Sequence, residues 1–112
     1  MDLLKNLSQV CVEETQLPES ILDGLKKAKI SDDPRAKCYL KCMMRQLQSL
    51  NEDGVLDVEL IEATMPDELK KHGGVETVKK CSHIKEDDMC ETAYKLILCF
   101  QKENPELTAL FE

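Results

Sequence analysis

Apolar residues recur along this chain at the helical period and almost nowhere at the period of two that marks strands. Leu3, Leu4, Leu7, Val10 and Cys11 share one face at a spacing of about 3.6 residues, which predicts an amphipathic first helix. Pro18 opens a second, short helix with Ile21, Leu22, Leu25 and Ala28 inward. Asp32-Asp33-Pro34 is the clearest start signal, an acidic N-cap followed by proline at the first helical position, where its missing N–H is no loss. Ala36, Leu40, Met43, Met44 and Leu47 then repeat on one face, and this third helix is expected to end near the turn cluster Asn51-Glu52-Asp53-Gly54. Asp57 to Met65, before Pro66, reads as a fourth helix presenting Val58, Ile61 and Met65. The stretch from Asp67 to Ile84 is mixed, and Gly73-Gly74 leaves open whether it holds one helix or two. Asp87 or Asp88 caps a last helix that runs to about Lys102 and stops at Asn104-Pro105. Ala93, Tyr94, Leu96, Ile97, Leu98, Cys99 and Phe100 leave that helix almost no polar face. A helix apolar all round is buried all round, so it is expected to pass through the middle of the fold.

Length and charge narrow the picture. The 112 residues are expected to form one domain, 1–112, around one core, with 100–112 as a C-terminal tail. The 22 acidic and 15 basic side chains give a net charge of −7. That sign disfavours nucleic acid, whose phosphates require a dense Lys/Arg surface, and anionic membranes as well. The pairs Lys26-Lys27, Lys70-Lys71 and Lys79-Lys80 read as solvated helix faces. No apolar run approaches the roughly 18 residues of a membrane span, so no stable insertion is expected. Met1-Asp2 begins no signal peptide. The sequence therefore reads either as cytosolic or as a mature form with an added initiator methionine.

The cysteines decide between these. Cys11, Cys38, Cys42, Cys81, Cys90 and Cys99 contain no C-x-x-C, which removes zinc-ribbon and thioredoxin-type readings. An even number at this density points to a disulfide-stapled secreted domain. Six cysteines allow fifteen connectivities. Cys90 and Cys99, about 13.5 Å apart along one helix, cannot pair, because a disulfide needs Cα atoms within about 7 Å. Cys38 and Cys42, one turn apart, would distort their helix. Forbidding both pairs leaves ten of the fifteen open.

The spacing C-x26-C-x3-C-x38-C-x8-C-x8-C resembles that of the six-cysteine insect odorant-binding proteins, in the three-residue and final eight-residue gaps above all. The resemblance spans Cys11 to Cys99. It implies an all-α fold of about six helices around an internal apolar cavity, with bridges Cys11–Cys42, Cys38–Cys90 and Cys81–Cys99. It also implies a secreted, non-enzymatic carrier in sensillum lymph or another extracellular fluid. Such a carrier takes odorants, pheromones, fatty-acid-like or terpenoid molecules, has an olfactory receptor as a further partner, and is a monomer or weak homodimer. The alternative is a small disulfide-rich inhibitor or defence protein with a solid core.

Candidate pocket residues follow the third cysteine: Met43, Met44, Leu47 and Leu50, with Ser49 as a hydrogen-bonding handle. Ile61 and Met65 join them from the fourth helix, and Tyr94, Leu98 and Phe100 from the last. Met-rich linings adapt to irregular apolar guests, and the absence of Trp favours aliphatic or terpenoid ligands over aromatic ones. The Tyr94 hydroxyl would meet a ligand oxygen, or a backbone acceptor instead. In similar family members a tail of this length covers the cavity mouth, which makes Leu110 or Phe111 the plug; a frayed terminus is the alternative. Many relatives release ligand in acid, but His72 and His83 lie in polar surroundings and read as surface histidines.

Catalytic motifs are missing: the chain has no G-x-S-x-G, H-E-x-x-H or P-loop. Cys81-Ser82-His83 does not reproduce a secreted phospholipase motif. Ser49 to Leu60 matches an EF-hand loop at Asn51, Asp53 and Gly54, yet Ser49 and Leu60 stand where carboxylates are needed. Asn6-Leu7-Ser8 is a glycosylation triplet inside a predicted helix. No enzyme, cofactor or metal site is expected.

Overall fold

Aspartates and prolines set where the helices begin. The computed structural model describes residues 2–106, with side chains from Lys5 onward. In it the described chain forms α1 (Asp2–Thr15), α2 (Glu19–Lys26), α3 (Pro34–Gln46), α4 (Val58–Thr64), α5 (Asp67–Lys71), α6 (Gly74–Cys81) and α7 (Met89–Glu103). Asp33 accepts from the Arg35 N–H at 2.8 Å, Asp57 from the Leu60 N–H at 3.0 Å, and Asp88 from the Cys90 N–H at 2.8 Å. Each carboxylate satisfies an orphan donor and complements the positive end of the helix dipole. Pro18 and Pro66 precede α2 and α5. Strand-type pairing among the described residues is confined to one isolated bridge, Leu50 to Leu56.

The stretch left open, 67–84, is two helices. Gly73 divides them at φ +80, a left-handed conformation that favours glycine. Gly74 is needed for a different reason: a Cβ there would lie 2.6 Å from Met65 Sδ and 2.8 Å from the Leu69 carbonyl oxygen. With the short α5 the described residues hold seven helices, in keeping with the all-α class of about six expected.

Four expectations are corrected. The third helix stops at Gln46, several residues before the Asn51 turn. Gln48 turns the chain at φ +60, and the Ser49 N–H donates back to the Met44 carbonyl at 2.9 Å, so Leu50 leaves the helix to enter the core. The last helix is not buried all round: Thr92, Ala93 and Leu96 are buried, whereas Leu98 is 37% exposed and Lys95 lies in solvent. α7 packs on α3 and α6, which cover only part of its circumference. It also continues to Glu103, so residues 100–103 are helix and not tail. In α1, Val10 is 50% exposed, and Val12 supplies the inward contact instead.

The bridges are Cys11–Cys42, Cys38–Cys90 and Cys81–Cys99, with Cα separations of 5.6, 4.6 and 6.0 Å. They link four helices in covalent series: α1 to α3, α3 to α7, α7 to α6. Two apolar clusters surround this series. One gathers Met44, Leu50, Leu56, Val78, Cys81, Ala93 and Leu96. The other gathers Cys11, Leu17, Ala36, Tyr39 and Cys42, and Leu40 packs against both.

Two stability predictions follow from these elements. Chain entropy lost by the unfolded state grows with the enclosed loop, and the bridges span 52, 31 and 18 residues. Cys38→Ser/Cys90→Ser is therefore expected to cost about 4 kcal/mol and Cys81→Ser/Cys99→Ser about 3 kcal/mol, read from urea unfolding. The second concerns acid. The Arg35 side chain, hydrogen-bonded to Asp33, lowers the carboxyl pKa from 3.8 to about 2, helped by the Arg35 backbone N–H. A depressed folded pKa contributes stability that is complete above the unfolded value and lost as pH falls through the folded one. Stability should thus decline between pH 3.8 and about 2 less steeply in Asp33→Asn than in the parent, as pH-dependent urea midpoints would register.

Candidate functional site

α1 and α3 pack against each other and are joined by Cys11–Cys42. Ser8 stands three residues before Cys11 and Tyr39 three before Cys42, so helical geometry returns both to the shared face. Their hydroxyls meet at 2.7 Å. Ala36, one turn earlier on α3, is fully buried and lets the helices approach closely. After Thr15 the chain reverses at Gln16, φ +55, and α2 returns across the open side of the pair.

α2 does not close that side. None of its residues is buried; Ile21, Leu22 and Leu25 only rest against the α1–α3 cluster. Behind it, Gln101 Nε2 donates to the Ala28 carbonyl at 2.8 Å and ties the α2–α3 connection to α7. The result is a concavity of about 920 Å³ that opens to solvent. Lys5, Ser8, Gln9 and Val12 line it from α1, Leu22, Leu25 and Lys26 from α2, and Tyr39, Leu40 and Met43 from α3. Its size falls within the range of small-molecule sites, and its walls are mainly aliphatic with a few convergent polar groups.

Of the residues nominated from sequence, Met43 lines this groove. Met44 and Leu50 are buried in the other cluster, with Ile61, Met65 and Phe100 packed against it. The structure therefore brings these five together as packed interior. Leu47 is 47% and Leu98 37% exposed. Ser49 Oγ donates to the Met44 carbonyl at 3.2 Å, ending α3 as part of the turn. Tyr94 is half-buried under Lys37, whose Nζ lies 4.5 Å from the ring centroid and also pairs with Glu91. Leu110 and Phe111 lie outside the described residues.

The histidines stand apart from the groove. His72 lies 3.1 Å from Glu106 and 3.4 Å from Glu68, and exposed His83 faces the Lys80 carbonyl at 3.0 Å. Among the described residues, no three His, Cys, Asp or Glu gather as a metal site.

Sequence reasoning missed Ser8, Tyr39, Lys5, Gln9, Val12 and Lys26 as lining, and placed Leu22, Leu25 and Leu40 inward without assigning them to a site. A signal did exist for the hydroxyl pair. Once Cys11 is paired with Cys42, Ser8 and Tyr39 each lie three residues before a bridged cysteine, on the same face of the joined helices.

A helical frame stapled in series, with an apolar groove between two of its cross-linked helices, defines a small disulfide-bonded ligand carrier. The chain belongs to the PBP/GOBP family, whose model matches residues 1–103, and this family comprises odorant-binding carriers rather than enzymes. It is 32% identical over 114 residues to general odorant-binding protein 56a of Drosophila melanogaster, covering 93% of this chain and 75% of that one. The crystal structure of Locusta migratoria odorant-binding protein lmigOBP1 superposes with a TM-score of 0.86 at 37% identity, covering 97% of this chain and 84% of that one. Odorant-binding protein 7 of Anopheles gambiae, solved in complex with an azo compound, gives 0.84 at 25% identity, covering 98% and 89%.

The hydroxyl pair yields a prediction. Ser8→Ala and Tyr39→Phe should show a coupling of about 1 kcal/mol in a double-mutant cycle of urea unfolding, the usual worth of one such hydrogen bond. Additive losses would mean that the two hydroxyls do not bond in solution.

Proposed function

We propose that this protein is a secreted carrier that solubilises small apolar molecules, odorants, pheromones or related lipid-like compounds, in the groove between α1, α2 and α3. The observation that carries the reading is the concavity of about 920 Å³ with aliphatic walls, lined by the two helices that the Cys11–Cys42 bridge joins and by α2. An open apolar concavity forfeits packing contacts and costs stability. Three cross-links acting on the unfolded state can offset that cost. The Anopheles protein's azo-compound complex supports a small-molecule guest in this fold. The reading of an extracellular protein rests on the bridges, which persist in oxidising compartments, and no helix of the described residues is long and apolar enough to cross a membrane.

Aliphatic and terpenoid guests fit better than flat aromatic ones. Of the ten lining residues among the described ones, Tyr39 alone is aromatic, and its hydroxyl is already engaged with Ser8. Met43 supplies the flexible wall. The neighbouring cluster of Met44, Leu50, Ile61, Met65 and Phe100 is continuous with the groove through Leu40. A larger guest would reach it by parting those side chains.

A neutral naphthylamine dye that brightens in apolar surroundings should bind saturably and be displaced by long-chain alcohols. Leu25→Trp narrows the groove and is expected to weaken the dye roughly tenfold, since overpacking costs on the order of 1–3 kcal/mol. Val55→Trp, in an exposed loop, should leave its affinity unchanged. Absence of saturable binding would return the protein to the solid-core interaction class.

A further inference from the structure

The groove carries charge of one sign. Lys5 on α1 and Lys26 on α2 both line it, and no carboxylate is among its described lining residues. This runs against the composition of the chain, with 22 acidic and 15 basic side chains. Three smaller depressions each include Glu14, Glu52 or Asp57. Lys37, Lys80 and Lys95 each have a carboxylate partner, whereas among the described residues Lys5 and Lys26 have none.

Of the remaining polar groups, the Gln9 amide can donate or accept, and the hydroxyl pair adds a donor. In the Ser8–Tyr39 pair one hydroxyl donates to the other, which leaves the second hydrogen free for an outside acceptor. Two ammonium groups, one spare O–H and the Gln9 amide N–H give an otherwise apolar trough a lining richer in donors than in acceptors. The complementary head group accepts only and is negative, as a carboxylate is.

We propose that the groove selects long-chain carboxylates, with the head group at Lys5 and Lys26 and the alkyl chain along Val12, Leu22, Leu25, Leu40 and Met43. This inference rests on the carrier reading of the same groove and adds the ligand's charge and orientation. Burial of methylenes supplies most of the affinity. The exposed lysines tilt the choice among ligands of equal chain length, because solvent screening keeps each contact modest.

The test is displacement of the neutral dye by hexadecanoate, hexadecanol and hexadecylamine at neutral pH and low salt. Hexadecanoate is expected to bind roughly threefold to tenfold more tightly than hexadecanol, and hexadecylamine more weakly than either. The acid-to-alcohol preference should shrink toward unity in Lys5→Gln/Lys26→Gln and at high ionic strength, and persist in Lys5→Arg/Lys26→Arg. Alcohol binding as tightly as acid, or an acid preference unaltered by the glutamine pair, overturns the head-group assignment while the carrier reading stands. A protein that takes up neither the dye nor any of the three chains ends both.

Discussion

Everything in this molecule is referred to α3, which is held covalently from two sides. Cys38 and Cys42 are one helical turn apart on it and bond in different directions, to α7 and to α1. Because α7 is bonded in turn to α6, four helices are fixed in one series whose order is set by sulfur chemistry. Apolar packing then fills the spaces between neighbours in that series. The Lys37–Glu91 ion pair flanks the Cys38–Cys90 bridge from adjacent positions on the same two helices, a polar contact that reinforces the seam without defining it.

α2, α4 and α5 stand outside the series, and the difference matters most for α2. Two sides of the groove, α1 and α3, are cross-linked to each other and cannot drift apart. The third side rests on partly buried side chains and on the single tie from Gln101 to Ala28. A rigid trough under a loosely held cover suits a carrier, since a guest needs a stable surface to bind and a route by which to leave. Elements with few buried residues occupy the low-stability end of a structure's local unfolding energies. On that ground α2, flanked by left-handed residues at Gln16 and Ala28, is the wall that would yield.

Much of the architecture was legible from sequence because its determinants are local. Asp33-Pro34, Asp57 and Asp88 act within one turn, and helix starts were placed within a residue or two. Helix ends were harder. The apolar period that runs on to Leu47 and Leu50 looks like continued helix, and nothing local announces that Gln48 will turn the chain and send Leu50 into the core. The same ambiguity misled the reading of the last helix. Apolar residues on every side do imply burial in a large protein, but a domain of 112 residues has too few neighbours to cover a whole circumference, and Leu98 is left in solvent.

The candidate site shows where local reasoning stops. Met44, Leu50, Ile61, Met65 and Phe100 were nominated from sequence as pocket wall, and the structure packs them into one apolar cluster; an apolar helical face does not distinguish packed core from pocket wall. That distinction depends on how closely two distant helices approach, which no window of sequence contains. Tyr94 and Tyr39 illustrate it: both sit on amphipathic helices, yet Tyr39 meets Ser8 beside the groove while Tyr94 lies under Lys37.

By itself the sequence determined the helical class, the caps, and through the spacing of its cysteines the family and hence the bridges, because each is encoded in residues near one another or in a count along the chain. The tertiary structure alone decided which apolar faces close on each other and which stay parted. The physical reason is that a groove is a deficit of contacts between elements far apart in sequence, and a deficit leaves no mark on the residues that border it.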